Sequence, residues 1–462
     1  MTAPARSAAL RALRDVSTGR SDLGSAQAQA RELLSDPRDR ALATEIVTGT
    51  LRWRAALDHA LFQISSRSPE SIDPEVLDLL RASAYQILYL DRVPNHAVVN
   101  DAVTLIRRLK KKSAASFINA VLRTLASHSS TKTLPVRPTV SLPARNDIDR
   151  EEILAYLSTT LSHPRWLVDR WLQRYGFNAT EHWASFNNKP APITLRVNTL
   201  KISPSALSAG LKVEGVQVKP GRWLHETLVV TRGNPLLTPL ANSGLFVVQD
   251  EASQLVATLV QASPTDCVLD TCASPGGKTV AIAGVMSNRG LLIAADFRPP
   301  RLRLLARTLE QCGCDCAKVL RIDGRKQLPF TVAFDWVLVD APCSGLGTLR
   351  RDPDIRWKRS AADLTQFSTS QTALLTSAAG VVTPGGRIVY ATCSSEPEEN
   401  EHVVERFLAN TPGFTIERPV VSLFRGLIDS NGYFRTLPYR DELEAFFAVV
   451  LRRNGAGQTN LR

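Results

Sequence analysis

Val268-Leu-Asp270-Thr-Cys272-Ala273-Ser274-Pro275-Gly276-Gly277-Lys278-Thr279 joins a short apolar run ending in an acid to a glycine pair and the start of a helical pattern. The stretch reads as strand, turn and helix start. Glycines let backbone approach a ligand closely, and the free N–H groups of a helix start favour an anionic group such as a carboxylate. Gly277-Lys278-Thr279 invites comparison with a P-loop. The first glycine of that motif would fall five residues before Gly277, where Cys272 stands. The GxGxxG dinucleotide fingerprint is missing as well.

Working outward, apolar runs and helical patterns alternate from about residue 246, which predicts an α/β domain around a mostly parallel sheet. The runs are Cys267–Asp270, Leu291–Asp296, Lys318–Ile322, Trp336–Asp340 and Arg387–Thr392, with a last β-rich run at Phe446–Arg452. Asp296 ends the second strand, nineteen residues after Gly277, where an acid is placed to hydrogen-bond ribose hydroxyls. Asp323 ends the third, where an adenine would lie. A nucleoside cofactor without a phosphate-rich tail is implied, and S-adenosylmethionine fits that description.

The fourth strand runs into Asp340-Ala-Pro342-Cys343-Ser344-Gly345 and the fifth into Thr392-Cys393-Ser394. Open parallel sheets bind ligands at the carboxyl ends of their strands, so both cysteines should face the cofactor crevice. C5 of cytosine is a poor nucleophile. A thiolate adding to C6 turns C5 into an enamine carbon able to attack a sulfonium methyl; the C5 proton and the thiolate then leave. Asp340, protonated or sharing a proton at N3, would drain charge from the ring. In N-methyltransferases the loop after strand four reads Asn/Asp-Pro-Pro-aromatic, and here a cysteine replaces the aromatic.

The rest of the chain bounds the partners. Its 462 residues predict two or three domains, and 44% hydrophobic with 22% charged residues is a globular composition. No apolar run reaches the roughly 18 residues of a membrane span and no signal-peptide core follows Met1, so a cytoplasmic location without membrane association is expected. Four arginines and one acid in the first twenty residues suit an amphipathic helix carrying Ala8, Leu10 and Leu13. The seven cysteines have no secreted disulfide spacing. Of the net charge of +12, residues 1–145 hold +8, with 21 Lys/Arg against 13 Asp/Glu. That bias suits a polyanionic partner.

Residues 1–127 read as helices, for example Val76, Leu80, Ala84, Ile87 and Leu88, then Ala97–Leu109 after a break at Asn95 and His96, then Phe117–Leu125. A basic run, Arg107, Arg108 and Lys110–Lys112, closes the second pattern. Residues 128–150 lack periodicity and read as a linker. Residues 151–245 mix a helical stretch, Trp166–Tyr175, with β-like runs Ile193–Val197, Val213–Val218 and Thr227–Val230, a small α+β module ahead of the domain at 246–455.

CASPGGKT (272–279), DAPCSG (340–345), RRDPDIRW (350–357) and YATCS (390–394) resemble the motifs of the Sun (NOL1/NOP2/Sun) family of RNA cytosine-C5 methyltransferases. The whole chain is similar to its bacterial branch B, which acts on 16S small-subunit ribosomal RNA. FINAVLR (117–123) and RDRALATEIVTGTLR (38–52) resemble the antitermination factor NusB. The resemblance implies a Rossmann-like methyltransferase domain behind a NusB-like helical RNA-binding domain. It implies Cys393 as nucleophile, Cys343 as the group assisting adduct breakdown, and cofactor contacts from Cys272, Ala273, Ser274, Pro275, Gly276, Gly277, Lys278, Asp296, Asp323 and Asp340. Ser274 departs from the family's usual alanine. Arg350–Trp357 would be a substrate-facing loop with arginines on RNA phosphates. The expected partner is 16S ribosomal RNA before full subunit assembly, with no obligate protein partner.

Two alternatives stand beside this reading. A DNA cytosine-C5 methyltransferase uses a Pro-Cys cysteine as nucleophile, but the second cysteine and the basic N-terminal region speak against it. A non-catalytic RNA-binding or antitermination factor would not need both cysteines and three cofactor-edge acids. Cys312, Cys314 and Cys316 lack the C-x₂₋₄-C pairing of structural zinc sites, so no metal is expected. His402 and the acids Glu396, Glu398, Glu399 and Glu401 read as a helix start, with Glu398 or Asn400 able to orient the Cys393 loop.

Overall fold

The computed structural model describes residues 3–127, 134–139, 147–419 and 426–455. Two compact units emerge: Met1–Lys189 with Leu349–Lys358, and Pro190–Thr348 with Arg359–Arg462. The boundary at Lys189 falls inside the stretch 151–245 expected as one module. Among the described residues no helix is long and apolar enough to cross a membrane.

The first unit is helical: α1 Pro4–Ser17, α2 Leu23–Glu32, α3 Pro37–Arg52, α4 Arg54–Ser65, α5 Pro74–Tyr89, α6 Asn95–Arg108, α7 Ala115–Ser127, α8 Asp147–Ala155 and α9 Arg165–Asn188. Local chemistry sets several starts. Asp73 accepts from the N–H groups of Glu75 and Val76 while Pro74 occupies the first turn of α5, and Asp36 with Pro37 does the same for α3 through Arg38 N. The break before α6 lies before Asn95, because Pro94 caps that helix and Asn95 and His96 form its first turn. Val76, Leu80, Ala84 and Ile87 join Ile106, Ile118 and Leu122 in one core. Residues 134–139 of the expected linker lie along this unit: Arg137 pairs with Glu181 at 2.7 Å and covers Phe177. Residues 128–133 and 140–146 of that linker lie outside the described residues.

The segment Leu349–Lys358 corrects one expectation. Arg356 reads no phosphate: it is fully buried. Its guanidinium donates to the carbonyls of Arg52, Ser162, Asn187 and Leu349 and to Asn188 Oδ1, at 2.8 to 3.5 Å. Trp357 Nε1 donates to Leu51 O at 2.6 Å, and Arg350 donates to Lys189 O and lies over Phe186. The ends of α3 and α9 expose backbone carbonyls that no helix can satisfy, and a five-donor guanidinium meets that need.

The second unit holds two sheets. The smaller is antiparallel in the order β2-β3-β1-β4, from β1 Thr194–Val197, β2 Gln217–Pro220, β3 Thr227–Arg232 and β4 Phe246–Val248. Val213, expected to open a strand, ends helix α10 Pro204–Val213, which Ser203 caps; the turn at Gly215 (φ +75°) separates it from β2.

The larger sheet has the order β10-β12-β9-β8-β5-β6-β7, with β11 on β12. Its strands are β5 Cys267–Asp270, β6 Leu291–Asp296, β7 Ala317–Arg321, β8 Phe334–Asp340, β9 Val382–Thr392, β10 Phe414–Glu417, β11 Phe434–Thr436 and β12 Phe446–Arg453. β7, β6, β5, β8 and β9 are parallel, and β12 runs antiparallel to β9. Alternate residues serve opposite layers. Val268, Leu292 and Leu338 pack under α11 Glu251–Ala257, α12 Gly277–Val285 and α13 Pro299–Cys312. Leu269, Ile293 and Val339 pack under the helices Ala361–Ala379 and Glu401–Asn410. The chain leaves β5 toward β6 on one side and meets β8 on the other, which opens a crevice at the carboxyl ends of β5 and β8.

Candidate active site

Each strand of that crevice delivers one polar group. β5 ends in Asp270, fully buried, whose Oδ2 accepts from Thr279 Oγ1 at 2.8 Å while Oδ1 has no hydrogen-bond partner. Burial pushes the Asp270 carboxyl up to about 7. The turn that follows carries Cys272, Ala273, Ser274 and Pro275 to Gly276, whose φ of +110° only glycine adopts at ease, and Gly277 starts α12. Burial pushes the Cys272 thiol up. Ser274 Oγ donates to Arg301 O at 3.1 Å.

β6 ends in Asp296, which is buried and accepts from Arg298 N at 3.0 Å. Asp323 lies two residues past the end of β7, and both its oxygens receive the Arg325 guanidinium at 2.8 Å. That pairing holds the Asp323 carboxyl below the usual carboxylate range. β8 ends in Asp340, which receives Lys278 Nζ at 2.7 Å.

The two cysteines meet. Cys343 Sγ and Cys393 Sγ are 2.9 Å apart, both as free thiols. The hydrogen bond with Cys393, burial, and the nearby charges of Cys393 and Glu399 push the Cys343 thiol well up. Backbone brings the loops together at Gly347, whose N–H donates to Cys393 O at 2.9 Å and whose carbonyl accepts from Ala445 N. A Cβ on Gly347 would come within 2.0 Å of Ala445 O and 2.8 Å of Cys393 O, so glycine is required there.

Behind the thiols lies a residue that reads in the sequence only as a helix-start acid. Glu399 is fully buried and accepts from Ser344 N at 2.7 Å, Ser344 Oγ at 2.5 Å, Gln371 Nε2 at 3.0 Å and Ser394 Oγ. The one sequence signal for it is the pair of Cys-Ser steps, Cys343-Ser344 and Cys393-Ser394. Asn400 orients the loop as expected: its Nδ2 donates to Ser394 O at 3.0 Å and its Oδ1 accepts from Thr392 Oγ1. Asp270, which the sequence gives only as the acid ending the first apolar run, is the other fully buried acid at these strand ends. Cys312, Cys314 and Cys316 are buried at the α13 end and before β7, away from the strand ends that carry the acids.

The donor and acceptor set fits S-adenosylmethionine. The glycine turn and helix start suit its carboxylate, and a buried acid with an orphaned oxygen suits its cationic end. Asp296, a buried acid at the end of the neighbouring strand β6, has the chemistry to accept from ribose hydroxyls. Lys278, the cation a phosphate would need, is already engaged by Asp340.

Comparison with known proteins agrees. The model of the NusB family matches residues 3–127, that of the ferredoxin-like domain of RsmF/B-like methyltransferases matches 163–236, and that of 16S rRNA methyltransferase RsmB/F matches 257–452. The probable ribosomal RNA small subunit methyltransferase B of Bacillus subtilis is 33% identical over 91% of this chain and 92% of its own. The ribosomal RNA small subunit methyltransferase B of Pseudomonas putida is 32% identical over 88% and 89%. The crystal structure of PH0851 superposes with a TM-score of 0.79 at 25% identity, covering 98% of this chain and 99% of that one. With glycine turn, acids and paired cysteines on one sheet edge and relatives matched over nearly their full length, the chain belongs to the 16S rRNA methyltransferase RsmB/F family.

Proposed function

We propose that the protein methylates C5 of a specific cytosine in 16S ribosomal RNA, in the cytoplasm and before full subunit assembly, through an adduct between Cys393 Sγ and C6 of the base. No obligate protein partner enters this reading. The observation that carries it is the thiol pair of Cys343 and Cys393 at 2.9 Å, with Cys343 three residues beyond the Asp340 that pairs with Lys278. S-adenosylmethionine supplies an electrophilic methyl group when bound. Cys272 through Lys278, Asp296, Asp323 and Asp340 would hold it.

The chain's own residues do the remaining work. Cys393 adds to C6, so that C5 gains the electron density for attack. Asp340 faces N3 and shares a proton with it, draining charge from the ring. Cys343 keeps its proton while it donates to the Cys393 sulfur. When the Cys393–C6 bond breaks, Cys343 passes that proton to the departing sulfur and takes up the one that C5 gives up.

Cys393→Ala is expected to abolish methyl transfer into protein-free 16S RNA while cofactor affinity holds. Cys343→Ala is expected to accumulate a protein–RNA adduct on a denaturing gel, since attack persists and elimination stalls. Adduct in the Cys393 variant and none in the Cys343 variant would reverse the roles. A product other than 5-methylcytidine would overturn the reading.

A further inference from the structure

We propose that Glu399 is a positioning residue for the cysteine pair, its carboxylate clamping the loop after β8 to the loop after β9 and thereby fixing the distance between the two thiols. The inference rests on the methyl-transfer reading for its consequence, though the clamp itself is a property of the free protein.

Four donors converge on one buried carboxylate. Oε1 takes Ser344 N and Gln371 Nε2, and Oε2 takes the hydroxyls of Ser344 and Ser394. Ser344 follows Cys343 and Ser394 follows Cys393, so each loop is gripped one residue from its thiol. The two hydroxyls are themselves 3.2 Å apart. Gln371 also donates to Pro342 O at 3.1 Å, which ties the start of the Cys343 loop to the same acid. Glu399 is in turn fixed by its backbone, whose carbonyl accepts from the Tyr390 hydroxyl on β9.

An ionised carboxylate accepts all four bonds at once, whereas a neutral side chain must turn a donor toward one of them. Burying a charge is costly unless hydrogen bonds compensate, and here they do. The same charge acts on the thiols. Glu399 is among the groups that push the Cys343 thiol up, and burial pushes its own carboxyl up against the pull of its serine and glutamine donors. Arg359, which donates to Ser344 O at 3.0 Å, holds the same loop through its backbone.

Glu399→Gln keeps the shape and removes the charge; Glu399→Ala removes the clamp. The thiol distance can be read without RNA from the rate at which diamide, a two-electron oxidant of thiol pairs, closes a Cys343–Cys393 disulfide in the full-length protein. Glu399→Ala is expected to slow closure by about tenfold or more and to lower kcat by about 100-fold, the scale of a misplacement of about an ångström. Its KM for S-adenosylmethionine should stay within about twofold, since uniform binding is untouched. Glu399→Gln should close the disulfide faster than Glu399→Ala and shift the pH profile of Cys343 alkylation to lower pH. If Glu399→Ala does not fold, Ser344→Ala and Ser394→Ala each remove one arm, and each should slow closure. Closure rates and alkylation profiles equal to the parent protein in the variants that fold would overturn the clamp. Slowed closure with no methyl transfer even in the parent protein would keep the clamp and reject the catalytic reading.

Discussion

Arg356 and Glu399 are mirror images. Each is a fully buried charge that binds a turn of chain to its surroundings, Arg356 with five acceptors and Glu399 with four donors. Burial pushes the Arg356 guanidinium down to about 9 and the Glu399 carboxyl up. The difference lies in their neighbours. Arg356 collects backbone carbonyls at helix ends, beside His163 and the stacked pair Trp171–Trp183. Glu399 collects the residues that adjoin two thiols. A buried charge marks a demand for polar partners, and only what those partners carry tells whether the demand is architectural or chemical.

The comparison is tested hardest at Arg356. Arg356→Ala should destabilise the protein by about 3 kcal/mol or more, since several buried acceptors lose a donor at about 1–3 kcal/mol for each one left unpaired. Arg356→Lys should recover only part, since an ammonium has three donors for five acceptors. Urea unfolding measures both, and a loss under about 1 kcal/mol would mean that the segment is held by packing alone.

Asp270 sharpens the contrast on the acidic side, because it is buried with one oxygen unpartnered. Its folded value of about 7 lies above the ordinary carboxylate range near 4. Between those values the folded state binds more protons than the unfolded one, so this group's contribution to stability falls as pH rises through the window. Melting temperatures without cofactor should therefore fall less between pH 5 and pH 8 in Asp270→Asn than in the parent protein. An unchanged pH slope would show that Asp270 is compensated.

Asp296→Ala should weaken S-adenosylmethionine binding by about 1–3 kcal/mol in calorimetry, the cost of leaving buried hydrogen-bonding groups unpaired. Unchanged affinity would reduce Asp296 to the cap of Arg298 N.

The smallest effect is expected at Lys111. It already pairs with Asp73 and Glu75, whereas Arg107, Arg108, Lys110 and Lys112 are exposed. Changing those four to Gln should flatten the salt dependence of RNA binding by about 0.7–0.9 in log–log slope for each phosphate left without its cation. Lys111→Gln alone should leave the slope in place. A change at Lys111 and none in the fourfold variant would move the RNA-facing surface elsewhere.

The strand ends were legible because a short apolar run with a terminal acid recurs at Asp270, Asp296 and Asp340. The cysteines were legible because their positions past β8 and β9 follow from the sheet's connectivity. Glu399 was not, because the gap from Ser344 to Glu399 is closed only by the folded sheet, and Glu396, Glu398 and Glu401 are chemically alike. Arg356 misled for a related reason. An arginine-rich turn looks cationic and exposed until the helix ends that it serves are in place. Val213 misled locally, since a β-branched residue also closes a helix when Ser203 and Pro204 start one.

The helical unit is encoded in two pieces, Met1–Lys189 and Leu349–Lys358, the second interrupting the coding of the sheet unit just after the Cys343 loop. A segment of residues 1–189 moved alone would arrive without the plug that donates to its carbonyls at Leu51, Arg52 and Ser162. A recipient would keep Arg356 and Trp357 with nothing to receive them. A chain lacking its first 127 residues would likewise lose the Arg52 and Leu51 carbonyls to which Arg356 and Trp357 donate.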